Sequence, residues 1–266
     1  MRKLVLVPTP IGHLADVTLR ALEVLKEAEV VACEDTRRTA KLLRHYGIAT
    51  PLVRVDQHTL ERAERLLEEH DYVAYASDAG TPGISDPGAE LVALALAKGF
   101  RVEVLPGPTA FVPALVASGL PTARFVFEGF LPTGRARKKR LEALAKEERT
   151  VVLYEAPHRL GRTLSALLEI YGPGHPVALA RELSKKHEEI WRGSLGEAAE
   201  RFAAPRGEFV IVLGPRELPE ARPDVDSLAR ALAAEGLSGR ALARALEAAG
   251  VPRNEARRWA YRKEEA

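Results

Sequence analysis

Five short runs rich in β-branched residues alternate with stretches of helical periodicity in the first half of the chain. The runs are LVLV (4–7), VVAC (30–33), LVRV (52–55), YVAYA (72–76) and RVEVL (101–105). Between them lie amphipathic segments such as TLRALEVLKEA (18–28) and AELVALALAKG (89–99), the second stopped by Gly99. Strands separated by helices are joined by crossovers, so the pattern predicts an α/β fold with a mainly parallel sheet.

A break at SGLPT (118–122) precedes a second set of runs: RFVFEGF (124–130), TVVLYE (150–155), VALAREL (177–183), EIWRG (189–193) and EFVIVL (208–213). The third and fourth are close enough to form a hairpin, which predicts mixed parallel and antiparallel pairing. GPRELPEARPD (214–224) reads as a linker. Residues 226–262 then read as two or three short helices, with Asp226 and Ser238 as N-caps and Pro252 in a first turn. The expected organisation is an N-terminal lobe (1–117), a second lobe (118–215) and a small helix-turn-helix-like domain (223–266). That last domain fits either nucleic-acid contact or a packing and dimerisation appendage.

A length of 266 residues suits two compact lobes. No apolar run approaches the roughly 20 residues a bilayer requires. Pro8 and Pro10 break the first apolar stretch, so the N-terminus reads as a strand rather than a signal peptide. The single Cys33 excludes an internal disulfide and a cysteine-based zinc cluster, and it lies inside a strand, where packing is its expected role. A cytoplasmic location is expected. Net charge is +2, so bulk charge does not announce a nucleic-acid binder. RARKKR (135–140) nevertheless places Arg135, Arg137, Lys138, Lys139 and Arg140 together. After the strand and turn EGFLPTG it is expected on an exposed loop able to neutralise phosphates; a solvated helix start is the other reading.

Loops at the carboxyl ends of parallel strands are where α/β proteins bind ligands. SDAGTPGISDPG (77–88) is such a loop. Its glycines admit a ligand to the backbone and its prolines hold the loop rigid. It has neither GxxxxGK[ST] nor GxGxxG, and residues 72–97 contain no Lys, Arg or His. A basic-free loop carrying Asp78 and Asp86 suits a ligand with cationic or neutral groups better than a phosphate. PTPIGHL (8–14) and LPGPTA (105–110) follow the first and fifth strands and would emerge on the same edge. CEDTRRT (33–39) sets Glu34 and Asp35 beside Arg37 and Arg38, as an active-site rim or as a helix start with its acids near the dipole. YEAPHR (154–159) and ARELSKKHE (180–188) bring further charged groups to strand ends. His58, His158 and His187 lack HxxxH or HExxH spacing and read as surface or hydrogen-bonding residues; no metal is expected and no GxSxG elbow is present.

Together VPTPIGHLADVTLRALEVL, CEDTRRTAKLL, SDAGTPGISDPG, LPGPTA, EGFLP, YEAPHR, ARELSKKHE and GEFVIVL, in order from residue 7 to 213, resemble the tetrapyrrole-methylase superfamily of S-adenosylmethionine enzymes. The branch they are most similar to methylates a cytidine 2′-oxygen in small-subunit ribosomal RNA. The resemblance implies two α/β lobes with the cofactor in the cleft between them, a homodimer, and 16S rRNA within the small subunit as partner, methylated in the decoding centre. By motif it carries cofactor contact onto Pro10, Gly12, Asp78, Gly80, Thr81, Pro82, Ile84, Ser85, Asp86, Thr109, Ala110, Tyr154, Glu155, Leu179, Ala180, Gly207 and Glu208. The donor methyl is already activated, so catalysis is mostly alignment, helped by an acceptor for the hydroxyl proton. Glu34, Asp35, Asp78 and Glu182 are candidate acceptors. Arg37, Lys185 and the RARKKR cations are candidate RNA contacts, and Arg181 could hold a phosphate. One departure is visible: many relatives carry a His- and Asn-rich stretch where this chain reads VDQHTLE (55–61), keeping only His58. A methylase of the same fold acting on a tetrapyrrole or a protein side chain, and a non-catalytic RNA-binding assembly factor, are the competing readings.

Overall fold

The computed structural model describes residues 2–55, 60–216 and 225–261. They fall into two compact units, 1–216 and 217–266.

In the first unit, β1 (Lys3–Val7), β2 (Val30–Cys33), β3 (Leu52–Arg54), β4 (Tyr72–Ala76) and β5 (Arg101–Val104) form one sheet in the order β3-β2-β4-β1-β5. Every pairing in it is parallel. The strands are linked through α1 (Leu19–Glu27), α2 (Thr36–His45), α3 (Leu60–Glu69) and α4 (Gly88–Ala97). Successive strand residues point to opposite faces, and both faces are covered. Leu4 and Leu6 pack with Leu66, Leu67, Leu91 and Ala95 of α3 and α4. Val5 and Val7 pack with Ala21, Leu25, Leu42 and Leu43 of α1 and α2. This is why these strands read as unbroken apolar runs. It also explains Cys33, a fully buried packing residue whose thiol pKa is pushed up by burial. β1 and β4 are neighbours whose connections leave in opposite directions, one to β2 and the other to β5. The crevice of an open α/β sheet opens at such a reversal, beyond the carboxyl ends of the strands.

The second sheet comprises β6 (Phe125–Phe130), β7 (Thr150–Glu155), β8 (Pro176–Arg181), β9 (Glu189–Ser194) and β10 (Phe209–Leu213), ordered β6-β7-β10-β8-β9. β6 and β7 are parallel; β8 and β9 form the expected antiparallel hairpin. One face packs on α7 (Pro157–Tyr171) and α8 (Leu195–Arg201) through Leu160, Leu164, Leu167 and Leu195. The other face receives Ala114 and Leu115 of α5 (Phe111–Ala117), the helix that follows the first sheet. α5 thus completes the core of the second sheet, and the two sheets form one unit.

RARKKR does not lie on a loop. It occupies the first turns of α6 (Gly134–Leu144). Arg137 is buried on the inner face and donates to Thr163 Oγ1 at 3.0 Å, so it is turned away from any phosphate in solvent. Arg140 is held by Glu128 at 2.9 Å.

The second unit consists of α9 (Val225–Ala234), α10 (Gly239–Ala248) and α11 (Arg253–Ala260) around Ala229, Leu242, Leu246, Val251 and Ala256. Asp226 lies inside α9 rather than capping it, and its carboxylate accepts the Trp259 indole N–H. Ser238 holds the N-cap position of α10 without a side-chain bond, and Pro252 is the N-cap of α11. His58, with most of VDQHTLE, and most of the linker lie outside the described residues. Among the described residues no helix is long and apolar enough to cross a membrane, and none cluster as metal ligands.

Candidate functional site

Three Pro/Gly loops meet above the carboxyl edge of the first sheet. Thr9 and Gly80 exchange two backbone hydrogen bonds of 3.0 and 2.9 Å, tying the loop after β1 to the loop after β4. Thr9 Oγ1 donates to Ser77 O at 2.9 Å, and Ser77 Oγ to Gly80 O at 2.7 Å. Thr81 Oγ1 donates to Pro108 O at 2.9 Å, which joins the loop after β5. Gly80 has φ +86°, a conformation L side chains rarely adopt. Asp86 Oδ1 accepts from Gly83 N at 2.8 Å and Gly88 N at 2.7 Å, so this carboxylate braces the turn from within. Asp78 reaches sideways: Oδ1 accepts the Asp35 N–H at 3.0 Å and Oδ2 lies 3.7 Å from Arg38.

Facing these loops is the carboxyl end of β7 with the β8–β9 connection. Glu155 is 1% exposed; it accepts from Thr163 Oγ1 at 2.5 Å and from Ala156 N at 2.9 Å, with Arg159 Nε at 3.4 Å. Tyr154 Oη accepts from Phe111 N at 3.2 Å, and burial raises its pKa. Lys185 is clamped between Glu182 and Glu208 at 2.9 and 2.8 Å, which offsets its burial and keeps it cationic. Burial pushes the Glu182 carboxyl upward, but the Glu208 N–H and Lys185 outweigh it and leave the group below its ordinary range. The connection is strained, with Glu182 and Ser184 at φ 51° and 61°. Ser184 Oγ donates to Asp16 Oδ2 at 2.9 Å. A Cβ on Gly12 would stand 2.7 Å from Lys185 Cγ and 2.8 Å from Leu183 O; on Gly207 it would stand 2.5 Å from Glu182 Cγ.

Between the two walls is a cavity of about 500 Å³. Of the expected site residues, Glu34, Asp78, Gly80, Thr81, Ile84, Ser85, Asp86, Thr109, Ala110, Tyr154, Glu155, Ala180, Glu182, Lys185 and Glu208 line it. Pro10, Gly12, Pro82 and Gly207 do not. Gly12 and Gly207 shape its wall through the close approaches above. Leu179 points to the opposite face of β8, into the α7–α8 core, because alternate strand residues face opposite ways. Asp35 is the N-cap of α2, accepting from Arg37 N at 2.9 Å. The Arg37 guanidinium, bonded to both its oxygens, then Arg37's own N–H, hold it far below the carboxylate range, which makes it a poor base. Arg37 is spent on that pair. Arg38, expected on an active-site rim, lines the cavity, as does His158, read from the sequence as a surface or hydrogen-bonding residue; Phe130 and Phe209, singled out by no sequence reading, line it from within EGFLP and GEFVIVL.

Six carboxylates (Glu34, Asp78, Asp86, Glu155, Glu182, Glu208) and two permanent cations (Arg38, Lys185) line the space. By this count the lining is anionic, and Phe130, Tyr154 and Phe209 give it an apolar, aromatic part.

Two α/β sheets joined through α5, with the cavity between glycine- and proline-rich strand ends, define a two-lobed methylase fold, and residues 3–199 match the Tetrapyrrole (Corrin/Porphyrin) Methylases, the family to which the chain belongs. Within that family it is 46% identical to Ribosomal RNA small subunit methyltransferase I of Synechocystis sp., over 95% of both chains. It is 44% identical to the protein of the same name from Thermotoga maritima, over 82% of this chain and all of that one. Among solved structures it is similar to uroporphyrin-III C-methyltransferase from Thermus thermophilus complexed with S-adenosyl homocysteine, with a TM-score of 0.60 and 27% identity over 80% of this chain and 97% of that one.

Proposed function

We propose that the chain uses S-adenosylmethionine to methylate small-subunit ribosomal RNA, at the ribose 2′-oxygen of a cytidine in the decoding centre. The observation that carries the cofactor reading is the anionic lining of the cavity, with six carboxylates against two permanent cations. S-adenosylmethionine has an ammonium and a sulfonium against one carboxylate, and it supplies an activated methyl group. The main chain of Gly80, Thr81, Ile84, Ser85, Thr109 and Ala110, with Tyr154, Ala180 and Glu208 opposite, would hold it. The RNA reading is supported by the names of the relatives above.

The chain's task is to align a hydroxyl and accept its proton. An effective acceptor titrates near the working pH. Asp35 is disqualified by Arg37, and Glu182 is weakened by its two donors. Asp78 is already engaged by the Asp35 N–H and faces Arg38, which leaves Glu34, at the carboxyl end of β2 and on the cavity wall, as our preferred acceptor. Glu34→Gln is expected to lower methyl transfer by about 10²–10⁴-fold while leaving cofactor affinity within a few-fold. Equal loss of both would move Glu34 to the binding set.

The likeness to a uroporphyrin enzyme favours one competing substrate. Labelled methyl transfer to unmethylated small subunits and to a porphyrinogen, side by side, separates the two; transfer to the porphyrinogen alone would end the RNA reading. The proposed homodimer is checked by light scattering of the full chain.

A further inference from the structure

Several arginines and lysines near the cavity are already committed: exposed Arg37 to Asp35 and Arg140 to Glu128, half-buried Arg159 to Glu155 and Lys185 to Glu182 and Glu208. A few are not. Arg135, Lys138 and Lys139 on α6 and Arg162 on α7 are exposed and form no hydrogen bond or ion pair with another described residue. They are not scattered. α6 and α7 lie side by side and run in the same direction, with Arg137 meeting Thr163 near their starts and Leu144 O meeting Tyr171 Oη near their ends. A groove of about 520 Å³ lies between them. Its near end is walled by Gly134, Lys138 and Arg162, its floor carries Leu141 and Ala166, and Glu142 and Glu169 close the far end. Arg137, bonded to Thr163, holds the two helices together under the basic end.

One helix, α7, contributes to both the cavity and the groove. His158 lines the cavity and Arg162 lines the groove. Four residues apart on α7, they share a face with Cβ atoms about 5–6 Å apart. His158 likewise has no bond to another described residue. His158, Arg162 and Lys138 therefore form a run of uncommitted donors from the cavity to the groove, with Arg135 and Lys139 exposed on the same helix as Lys138; the acidic groups lie at the groove's other end.

We propose that the basic end of the α6–α7 groove seats the sugar–phosphate backbone of a single RNA strand flanking the nucleotide presented to the cavity. This rests on the RNA reading above and assigns it a surface. Unpaired exposed cations are those whose counterions a polyanion releases, whereas a cation already held by a carboxylate gains little from a phosphate. The absence of aromatic side chains from the groove lining makes this a backbone contact, tolerant of sequence, rather than a stacking platform.

The test is a full-chain Lys138→Ala/Arg162→Ala variant beside the wild type. Binding of a labelled single-stranded oligonucleotide spanning the target is measured against salt, with methyl transfer to small subunits and S-adenosylmethionine affinity by calorimetry. Removing two phosphate contacts is expected to reduce the slope of log K against log salt by about 1.4 and weaken binding at least ten-fold at low salt. Cofactor affinity should stay unchanged, which also shows the variant to be folded. A methylating wild type whose variant keeps the same KM and salt slope overturns the groove and leaves the functional reading intact. A wild type that binds the oligonucleotide through these residues but methylates no RNA does the reverse. If the variant loses affinity for intact subunits but not for the naked strand, the groove seats a ribosomal protein and the proposal is wrong.

Discussion

Asp86 looks like a ligand contact in the sequence, yet its carboxylate is occupied by two backbone N–H groups of its own loop. Removing it leaves those donors unsatisfied at about 1–3 kcal/mol. Asp86→Ala is expected to lower cofactor affinity about ten-fold or more through loop disorder, with amide exchange in residues 80–88 rising together. Fast exchange without an affinity change would separate the brace from the binding site. Tyr75 presents the opposite case: its hydroxyl is fully buried, close to Asp86 but with no hydrogen bond of good geometry among the described residues, and burial with nearby Asp86 and Glu34 pushes its pKa upward. Tyr75→Phe should be neutral or stabilising by up to about 1 kcal/mol in urea titrations; a loss larger than that would mean the hydroxyl is satisfied in solution. Glu147 offers a pH-dependent probe. Arg149 hydrogen bonds lower its pKa from 4.5 to about 2. The folded state thus favours the carboxylate, and the stabilisation is present above pH 4.5 and lost as pH falls towards 2. Arg149 is largely solvated, so the amount is below about 1 kcal/mol. Glu147→Gln should cost that much at pH 7 and nothing near pH 2.

Short elements here depend on caps rather than length. α8 has seven residues, too few to persist alone, and carries a full capping box: Ser194 and Glu197 each satisfy the other's backbone N–H. Ser194→Ala is expected to cost about 1 kcal/mol in denaturant unfolding. The β8–β9 connection is set by a different means. It crosses to the first lobe through Ser184–Asp16 and fits against Gly12, where no Cβ has room. Gly12→Ala would force that connection outward at about 1–3 kcal/mol and widen the cavity. α6 illustrates the limit of charge reading: five basic residues in six positions divide into outward Arg135, Lys138, Lys139 and Arg140 and inward Arg137.

In the whole chain, the two units have separate cores. The Thermotoga relative is matched over its full length by 82% of this chain, a shortfall close in size to the helical unit. Truncation after Arg216 is therefore expected to leave a folded protein with unchanged cofactor affinity, as calorimetry would show. A role for the helical unit in RNA binding predicts weaker RNA affinity in the same truncation, and unchanged affinity would reject that role.

Strand positions were legible because a strand buried on both faces must be apolar along its length, and the three loops at the cavity because runs of glycine and proline interrupt regular structure at strand ends. All ten strands stand within two residues of where periodicity places them. The hairpin of β8 and β9 was readable from proximity alone. What sequence could not supply depends on faces and partners. Whether Leu179 or Ala180 meets the cavity turns on which way β8 is set. Whether Asp35 is a base or a cap turns on Arg37 bonding back to it. Whether Arg137 meets phosphate or Glu155's partner Thr163 turns on how α6 packs against α7. Local propensity acts between chain neighbours, whereas these choices are made by groups brought together only when the second sheet closes over α5.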